Sequence, residues 1–349
     1  MHQQHHQQHH RLALFVWLAR LICSLIVIGG VALAASPSQA QEFVMKFATQ
    51  TRNDPHEQFM KEYKAEIEKA TNNRIKVDIY TAAQLGSAPR QVEGLRLGTI
   101  EAAIGPAELF VGADPRFQVI AMPGLFKNMD HARRVMLTPQ VHDAFADIAA
   151  TRHLLLAGIT VYTFQSFAFK DTVTKIADFS GKRIRVLASQ SERNAVSALG
   201  GSPIAMALPE VMPALQQGTI DGVNAGLGVF VPFKYYDIAP NILDSHLWSI
   251  ISITLVSKVW FDKLPPDLQK AVLETGAKVE SSVDKWVDIR TEEQSKAWKA
   301  QGGKIVEFSA AEQAEAVKRL SVSIQPILDS NPDLKKVYEL VKSVAATVN

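Results

Sequence analysis

Residues 178–224 read DFSGKRIRVLASQSERNAVSALGGSPIAMALPEVMPALQQGTIDGVN. Basic and apolar residues alternate from Lys182 to Val186, with the period of a half-buried strand. The pattern then predicts a helix at 191–199, a short strand at 203–207, a helix from Leu208 that ends at Gly218, and a small-residue loop up to Asn224. This order is typical of one α/β unit, and Arg185 lies near the exit of its first strand.

A second stretch of the chain resembles this unit. Residues 95–101, LRLGTIE, match residues 215–221, LQQGTID, and an alternating basic strand precedes each of them, RIKVDIY and KRIRVLA. A strand exit follows each, at Gly105-Pro106 and at Ala225-Gly226. The repetition predicts two similarly wound α/β domains, with a cleft between them that is lined by strand exits from both sides.

The first 40 residues have the features of a secretory signal peptide. They contain no acidic residue, and their apolar run from Leu12 to Ala35 carries a single charge, Arg20. Ser38-Gln39-Ala40 has small residues at the two positions that signal peptidase reads, so we expect export to the periplasm with cleavage after Ala40. The alternative is an uncleaved anchor, because the apolar run is long enough to span a bilayer.

Loss of this leader changes the charge balance and the cysteine count. It takes Arg11 and Arg20 from the 37 basic residues and leaves 35, equal to the 35 acidic residues. No basic surplus then points to nucleic acid as a partner. The only cysteine, Cys23, is also lost, so the exported chain has no disulfide and depends on core burial for its stability.

The remaining 309 residues exceed what one hydrophobic core usually supports, which predicts two domains. Two β-rich runs, 154–170 and 250–260, are longer than ordinary strands and are interpreted as crossings that form a hinge. We therefore assign residues 41–163 and 251–290 to domain I, and residues 164–250 and 291–349 to domain II. Residues 130–150 are predicted to be helical, and residues 264–302 to form one long helix or two with a bend at Gly276.

Several residues near the strand exits and crossings are candidates for ligand contacts. Arg185 can clamp a carboxylate bidentately, although a solvated or salt-bridged arginine is the simpler interpretation. Asn224 can bond a ligand oxygen or serve the turn that contains it. In the first crossing Gln165 and Ser166 can donate to a ligand and Phe164 can form a wall, or all three can be core and hinge surface. Trp248 can also be core or binding surface, and a lone tryptophan is more often core.

Catalytic and cofactor motifs are missing from the exported part of the chain. It has no nucleophile elbow, no H-E-x-x-H, no P-loop and no G-x-G-x-x-G, and its five histidines lack metal-ligand spacing. Asp54 and Glu108 could meet as a carboxylate pair at strand exits, but surface carboxylates are the default interpretation. We therefore expect no enzyme, no cofactor and no metal site.

The exported part, over nearly its whole length, resembles the extracytoplasmic solute-binding proteins of TRAP transporters, the tripartite ATP-independent periplasmic systems. The order and spacing of the matching pieces are specific, although each piece alone is weak. They are DPH at 54–56, QLG at 84–86, LGTIE at 97–101, FSGKRIRV at 179–186, ALGGSP at 198–203, PEV at 209–211, ALQQGTIDG at 214–222 and LPPDLQ at 264–269.

The resemblance implies a two-domain periplasmic binding protein fold, with mixed sheets flanked by helices, hinge strands and a long bracing helix. It implies closure on a small organic acid and delivery to a membrane permease driven by an ion gradient. In the family the arginine of the I-R-V strand pairs with the substrate carboxylate, and Arg185 holds that position. This favours the ligand-binding interpretation of Arg185.

Two departures from the family pattern bear on the substrate. Many members have Gly-Phe-Arg in the first crossing, where this chain has Phe164-Gln165-Ser166 and no second cation. Many also have Glu where this chain has Asn224. These departures favour a monocarboxylate with an apolar or lightly polar body as the solute.

The expected function is that of a periplasmic receptor, acting as a monomer, that captures an organic acid and docks on the TRAP membrane subunits. Two alternatives are a receptor that signals to a sensor kinase and a secreted enzyme acting on organic acids. The cleft residues come from both sides. They are Gln50, Arg52, Pro106 and Glu108 on one side, and Arg185, Leu208 and Asn224 on the other, with Gln165, Phe164, Ser166 and Trp248 near the crossings.

Overall fold

The computed structural model describes residues 42–348. The expected signal peptide, residues 1–40, and its cleavage site after Ala40 lie outside the described residues.

Two mixed β-sheets organise the described chain. The first has the order β2-β1-β3-β10-β4, with β1 parallel to β2 and β3, and β10 antiparallel to both of its neighbours. The second has the order β11-β9-β5-β8-β6-β7, in which β8, β6 and β7 are parallel and β5 is antiparallel. The strands are β1 Phe43–Thr49, β2 Ile75–Tyr80, β3 Ala102–Pro106, β4 Leu154–Phe164, β5 Ser166–Phe169, β6 Arg183–Val186, β7 Ser202–Ala205, β8 Gly222–Ala225, β9 Asn241–Leu243, β10 Ser249–Ser257 and β11 Lys304–Val306.

Helices cover both sheets, as expected for apolar strands such as β3 and β10 that are buried on both faces. Short 3₁₀ turns occupy Ala107–Phe110, Pro115–Ala121, Ile176–Phe179 and Tyr235–Asp237. The helices are α1 Pro55–Ala70, α2 Ala88–Leu97, α3 Met129–Met136, α4 Pro139–Ala150, α5 Gln190–Ala198, α6 Leu208–Gln216, α7 Leu227–Phe230, α8 Lys258–Phe261, α9 Pro266–Ala300, α10 Ala310–Ser323, α11 Gln325–Ser330 and α12 Pro332–Thr347. The predicted α/β class with mixed sheets flanked by helices is confirmed.

Residues 178–216 fold as predicted, as β6, α5, β7 and α6, but the segment predicted as a small-residue loop contains β8, which pairs with β5 and β6 in the second sheet. Ser189 begins α5, where its hydroxyl accepts a hydrogen bond from the backbone N–H of Glu192. The internal resemblance also has a structural counterpart. Gly98 after α2 and Gly218 after α6 both adopt the left-handed conformation, with φ of 72° and 71°, that turns the chain into the next strand.

The chain passes directly from strand to strand between the sheets at two adjacent points, and it returns to the second sheet through α9. The first β-rich run breaks at Gln165, which separates β4 of the first sheet from β5 of the second. The second passage lies at residues 244–248, between β9 and β10, rather than in the run 250–260. That run belongs to the first sheet because Ser249 already pairs with Phe164 on β4.

Two helical segments differ from expectation. Residues 130–150 form two helices, because Thr138-Pro139 interrupts the pattern and proline begins the second helix without an N–H to donate. The C-terminal helix α12, in a segment assigned to domain II, buries Leu334, Tyr338 and Val341 in the core beside the first sheet. The domain boundaries stay a prediction, and residues 324–345 are where the packing departs from them.

The long helix α9 runs unbroken through Gly276 and contacts both halves of the fold. Its first half buries Val272 and Val279 in the core beside the first sheet, and Trp298 near its end packs in the core of the second. A Cβ at Gly276 would lie 1.7 Å from the carbonyl oxygen of Ala157 on β4. This position is therefore glycine because a helix packs directly against the backbone of a strand.

We predict that Gly276→Ala lowers the free energy of unfolding by about 1–3 kcal/mol, because the added methyl group would clash with the carbonyl oxygen of Ala157. Helix propensity alone predicts the opposite, a gain of about 1 kcal/mol. Urea denaturation of the exported chain measures the change, with Ser281→Ala at an exposed position of the same helix as the control. A Gly276→Ala protein as stable as the wild type would contradict the packing explanation.

Candidate functional site

A cavity of about 770 Å³ lies between the two sheets. Its walls are built largely by the ends of strands and by the loops that follow them, which is where open α/β sheets usually place ligands. The contributing segments are the loop after β1, the end of β3, the junction between β4 and β5, the end of β6, the loop after β7 and the end of β8.

Arg185 is the buried cation of this cavity. It lies on β6 between Ile204 of β7 and Val223 of β8, and its side chain is 3% exposed. The guanidinium donates through Nε to the carbonyl of Met206 (3.1 Å) and through Nη1 to the carbonyl of Asn224 (3.3 Å). Within residues 42–348 no carboxylate forms an ion pair with it.

The charge of Arg185 is therefore only partly compensated. Burial lowers the pKa of Arg185, and Tyr235 and Glu192 act in the opposite direction. Arg183 on the same strand shows the contrast, because it is exposed and makes a bidentate pair with Asp221, at 2.9 and 2.8 Å. A buried cation without such a partner is costly, and an anion in the cavity would remove that cost.

Two amide side chains accompany Arg185 in the cavity wall. Gln165 donates through Nε2 to Glu192 (2.8 Å), and Asn224 donates through Nδ2 to the carbonyl of Ser166 (3.4 Å). The amide oxygens of Gln165 and Asn224 are buried and, among the described residues, have no hydrogen-bond donor. These acceptors can be satisfied by a hydroxyl or N–H group.

Two carboxyl groups lie close to this wall. Glu192 on α5 is 1% exposed, and burial raises its pKa to about 7 although Arg185 opposes the shift. Glu108, in the turn after β3, is fully buried, and burial and the charge of Glu192 raise its pKa well above the usual range. Glu108 thus faces Glu192, and the suggested pairing of Glu108 with Asp54 is wrong. The default interpretation of Asp54 and Glu108 as surface carboxylates is wrong as well, because the two residues are 1% and 0% exposed.

Asp54 instead belongs to a polar network in the opposite wall. His56 places Nδ1 at 3.0 Å from Asp54 and 2.9 Å from Thr51, and Nε2 at 2.7 Å from the hydroxyl of Ser252. Burial and Asp54 raise the pKa of Tyr162 well above its usual value, so its hydroxyl stays protonated and donates to Asp54 (3.2 Å). Although burial opposes it, His56 and further hydrogen bonds lower the pKa of Asp54.

This network joins the start of α1 to the two long strands that lead to the passages between the sheets. Asp54 also caps α1 by accepting from the N–H of Glu57 (3.1 Å). His56, Thr51 and Tyr162 line the cavity. Sequence reasoning missed them as site residues, because Tyr162 and Ser252 are far from Asp54-Pro55-His56 in the chain and no local pattern connects them.

Six of the eleven residues predicted for the site line the cavity. They are Gln50, Pro106, Gln165, Arg185, Leu208 and Asn224. They come together because each lies in the last residues of a strand, follows the end of a strand or begins the helix after it.

The other five predicted residues lie outside the lining. Arg52 is exposed, with its guanidinium 5.1 Å from the centre of the Phe233 ring, and Phe164 packs edge-on against His246 at 5.7 Å. Ser166 donates to Asp244 (2.8 Å), and Glu108 is buried behind the wall. Trp248 is a core residue, edge-on to Phe167 at 5.9 Å, so the core alternative describes its position.

Residues 42–348 contain no cluster of three or more His, Cys, Asp or Glu side chains suited to a metal ion. Across the same residues, no helix has the length and apolar character needed to cross a membrane.

Comparison with known proteins places this architecture in a family. A family model described as "DctP: Bacterial extracellular solute-binding protein, family 7" matches residues 47–330. The C4-dicarboxylate-binding periplasmic protein DctP of Rhodobacter capsulatus is 27% identical over 294 residues, which cover 80% of this chain and 84% of that protein. The 2,3-diketo-L-gulonate-binding periplasmic protein YiaO of Escherichia coli is 26% identical over 257 residues, covering 72% and 76%.

Solved structures share the fold. A TRAP periplasmic solute binding protein from Desulfovibrio salexigens, with bound orotic acid, superposes with a TM-score of 0.84 at 20% identity, covering 88% of this chain and all of that one. A second, from Desulfovibrio desulfuricans with bound sn-glycerol-3-phosphate, has a TM-score of 0.81 at 25% identity, covering 86% and 97%.

We predict that Asp54→Ala lowers the free energy of unfolding by at least about 2 kcal/mol, because it removes a helix cap and leaves buried Tyr162 and His56 without their carboxylate partner. Ser309→Ala, which removes the side-chain cap of the exposed start of α10, is the matched control, with an expected loss of about 1 kcal/mol or less. Equal losses in urea denaturation would show that the buried network adds nothing to the cap.

Proposed function

The chain belongs to family 7 of the bacterial extracellular solute-binding proteins, the receptors of TRAP transporters, and we propose that it binds an organic monocarboxylate between its two sheets through Arg185. The observation that carries this proposal is the buried guanidinium of Arg185, which faces the cavity without an ion-pair partner among residues 42–348.

The solute carboxylate supplies the partner that Arg185 lacks. Nε and Nη1 are engaged with backbone carbonyls, which hold the guanidinium plane in one orientation. A carboxylate that meets this fixed group forms charge-assisted hydrogen bonds in a site of low dielectric, where they are stronger than in water. The amide oxygens of Gln165 and Asn224 accept from a hydroxyl or N–H of the solute.

The remaining lining favours one carboxylate and an apolar or lightly polar body. Arg96, the other cation of the described lining, is exposed at the rim, one turn from Glu93 on α2. The first passage, where the family resemblance implies a second cation, has Phe164-Gln165-Ser166 and no arginine. The apolar lining is provided by Val92, Leu109, Val111, Leu187, Met206, Leu208, Val229 and Ile250.

Closure of the two sides over the solute is proposed to occur at the paired passages between the sheets. These passages are bonded to each other, since the N–H of Gln165 donates to the carbonyl of Trp248 (2.8 Å) and Ser245 donates to the carbonyl of Gln165 (3.0 Å). A hinge of this kind lets two rigid units rotate about a narrow axis. Closure removes water from the ion pair and strengthens it.

Export and delivery complete the proposal. The leader, residues 1–40, directs the chain to the periplasm and is cleaved after Ala40, and the solute-loaded monomer docks on the TRAP membrane subunits. Solutes named for relatives include C4-dicarboxylate, 2,3-diketo-L-gulonate and orotic acid, so the family accommodates acids of different shape.

A thermal-shift panel of benzoate, orotate, succinate and L-gulonate on the exported chain from Gln41 tests the solute class. An acid present at about 100 times its dissociation constant adds about 2.7 kcal/mol of stability. We expect benzoate or orotate to give the larger shift. Preference for succinate would contradict the assignment of a single carboxylate, and preference for L-gulonate, a polyhydroxylated monocarboxylate, would contradict the apolar or lightly polar body. No shift with any acid would contradict the receptor proposal.

We predict that Arg185→Ala weakens binding of the preferred acid at least about tenfold, because a charge-assisted hydrogen bond is worth about 1.5–3 kcal/mol. Arg183→Ala, on the same strand but outside the cavity, is expected to bind like the wild type. Titration calorimetry gives both affinities, and circular dichroism checks that each variant is folded. Unchanged affinity in folded Arg185→Ala would refute the role of Arg185.

A further inference from the structure

Two buried carboxyl groups from opposite sides of the fold lie behind the wall that holds Arg185. Glu108 is in the 3₁₀ turn that follows β3 of the first sheet, and Glu192 is in α5, which follows β6 of the second. The two sides meet beside this pair, where the side-chain oxygen of Gln118 accepts from the N–H of Ser191 (3.0 Å). The pair therefore lies at a junction between the halves that would move against each other.

Glu108 has almost no compensation for a negative charge, because burial and Glu192 raise its pKa and only its own backbone N–H acts to lower it. Its side chain is completely buried, and neither carboxyl oxygen has a hydrogen-bond partner among residues 42–348. The one charged group that acts on it is Glu192, which is repulsive. An ionised carboxylate in such surroundings is strongly unfavourable, so the pair must hold at least one proton.

The ionised form of Glu192 is better stabilised than that of Glu108, although burial still raises the pKa of Glu192. It accepts hydrogen bonds from Gln165 Nε2 (2.8 Å) and from the N–H of Leu187 (2.5 Å). The charged groups that act on it are Arg185 from β6 and Arg193 from its own helix, both attractive, and Glu108 from the opposite side, repulsive. Arg185 in turn faces Tyr235. The competition between burial and Arg185 leaves the pKa of Glu192 at about 7.

The charge of Arg185 links this pair to the cavity. In the empty cleft an ionised Glu192 provides part of the negative charge that Arg185 needs. A solute carboxylate at Arg185 provides that charge directly, and an ionised Glu192 would then be a second anion in the same buried region. Uptake of one proton from solvent, forming an O–H bond on the pair, removes the excess charge.

We propose that Glu108 and Glu192 form a proton-binding site that fills when a solute carboxylate binds to Arg185, so that one proton is captured with each solute anion. This proposal rests on the proposed function, because it requires an anion at Arg185. The two carboxyl groups titrate as a pair, and the exchangeable proton belongs to the pair rather than to one residue.

The direction of the pH dependence follows from the charges. The solute anion opposes ionisation of Glu192, so the pKa of the pair is higher in the complex than in the free protein. Well below pH 7 the pair is already protonated and the affinity is independent of pH. Above the free pKa of about 7 binding must take up a proton, so the dissociation constant rises by up to about tenfold per pH unit.

Titration calorimetry measures the proton directly, with whichever of benzoate, orotate, succinate and L-gulonate binds most tightly as the probe. Observed enthalpies in phosphate and in Tris near pH 8 differ by the difference between the two buffers' ionisation enthalpies, multiplied by the number of protons taken up. We expect uptake approaching about one proton per solute in the wild type. A probe that binds through Arg185 without proton uptake would overturn the proton site and leave the proposed function intact.

Two isosteric variants separate proton binding from a structural role. Glu192→Gln mimics the protonated form, so its proton uptake should fall to near zero, and near pH 8 it should bind the probe at least as tightly as the wild type. Glu108→Gln removes the repelling carboxyl group, so Glu192 should ionise more easily and the pH dependence should begin at a lower pH. A Glu192→Gln protein that takes up as many protons as the wild type, or whose binding is weakened equally at every pH, would contradict the proposal.

Glu280 provides the matched control. Its carboxyl group lies on α9 outside the cavity lining, and burial raises its pKa to about 7, as for Glu192. Glu280→Gln is expected to retain the proton uptake of the wild type, and loss of uptake in this variant would overturn the assignment to the pair.

A second control tests for a metal cation, and the titrations are repeated with choline chloride in place of sodium chloride. If affinity depends on sodium and no proton is taken up, the carboxyl oxygens of Glu108 and Glu192 bind a metal cation instead. That result would overturn the proton site.

Discussion

The site depends on one constraint, which is that the guanidinium of Arg185 is buried without an ion-pair partner within residues 42–348. Strands on both sides enclose it, and two backbone carbonyls orient it without neutralising it. A protein that bound nothing would gain from pairing this charge, as it pairs Arg183 with Asp221 on the same strand. The unpaired guanidinium persists only because the stability of the rest of the fold offsets its cost. An anion that pairs with Arg185 removes that cost and therefore binds more favourably.

The junction of the two sheets connects this charge to the rest of the molecule. Gln165 lies at the passage from β4 to β5, lines the cavity and donates to Glu192. Glu192 in turn faces Arg185 on its own side and Glu108 on the other. A movement at the passage, a change of charge in the cavity and the protonation of the carboxyl pair therefore act on neighbouring atoms, which is the physical basis for coupling them.

Much of the fold was predictable because its signals are local. The alternation at 182–186, the glycine caps at Gly98 and Gly218 and the long apolar pattern of α9 each report on a few consecutive residues. The errors arose where distant contacts decide the outcome. The position of the second passage depends on the pairing of Ser249 with Phe164, and α12 joins the first core because an apolar face is available there.

The sequence by itself determined the α/β class, the order of strands and helices in residues 178–216 and the candidate cation Arg185, because strand period, helix caps and family motifs are encoded by neighbouring residues. Only the tertiary structure decided which charges meet. It paired Arg183 but not Arg185 with a carboxylate, placed Trp248 in the core, joined Asp54 to Tyr162 and brought Glu108 to Glu192. Pairing, burial and the resulting pKa shifts depend on distances between residues far apart in the chain, and no local pattern encodes those distances.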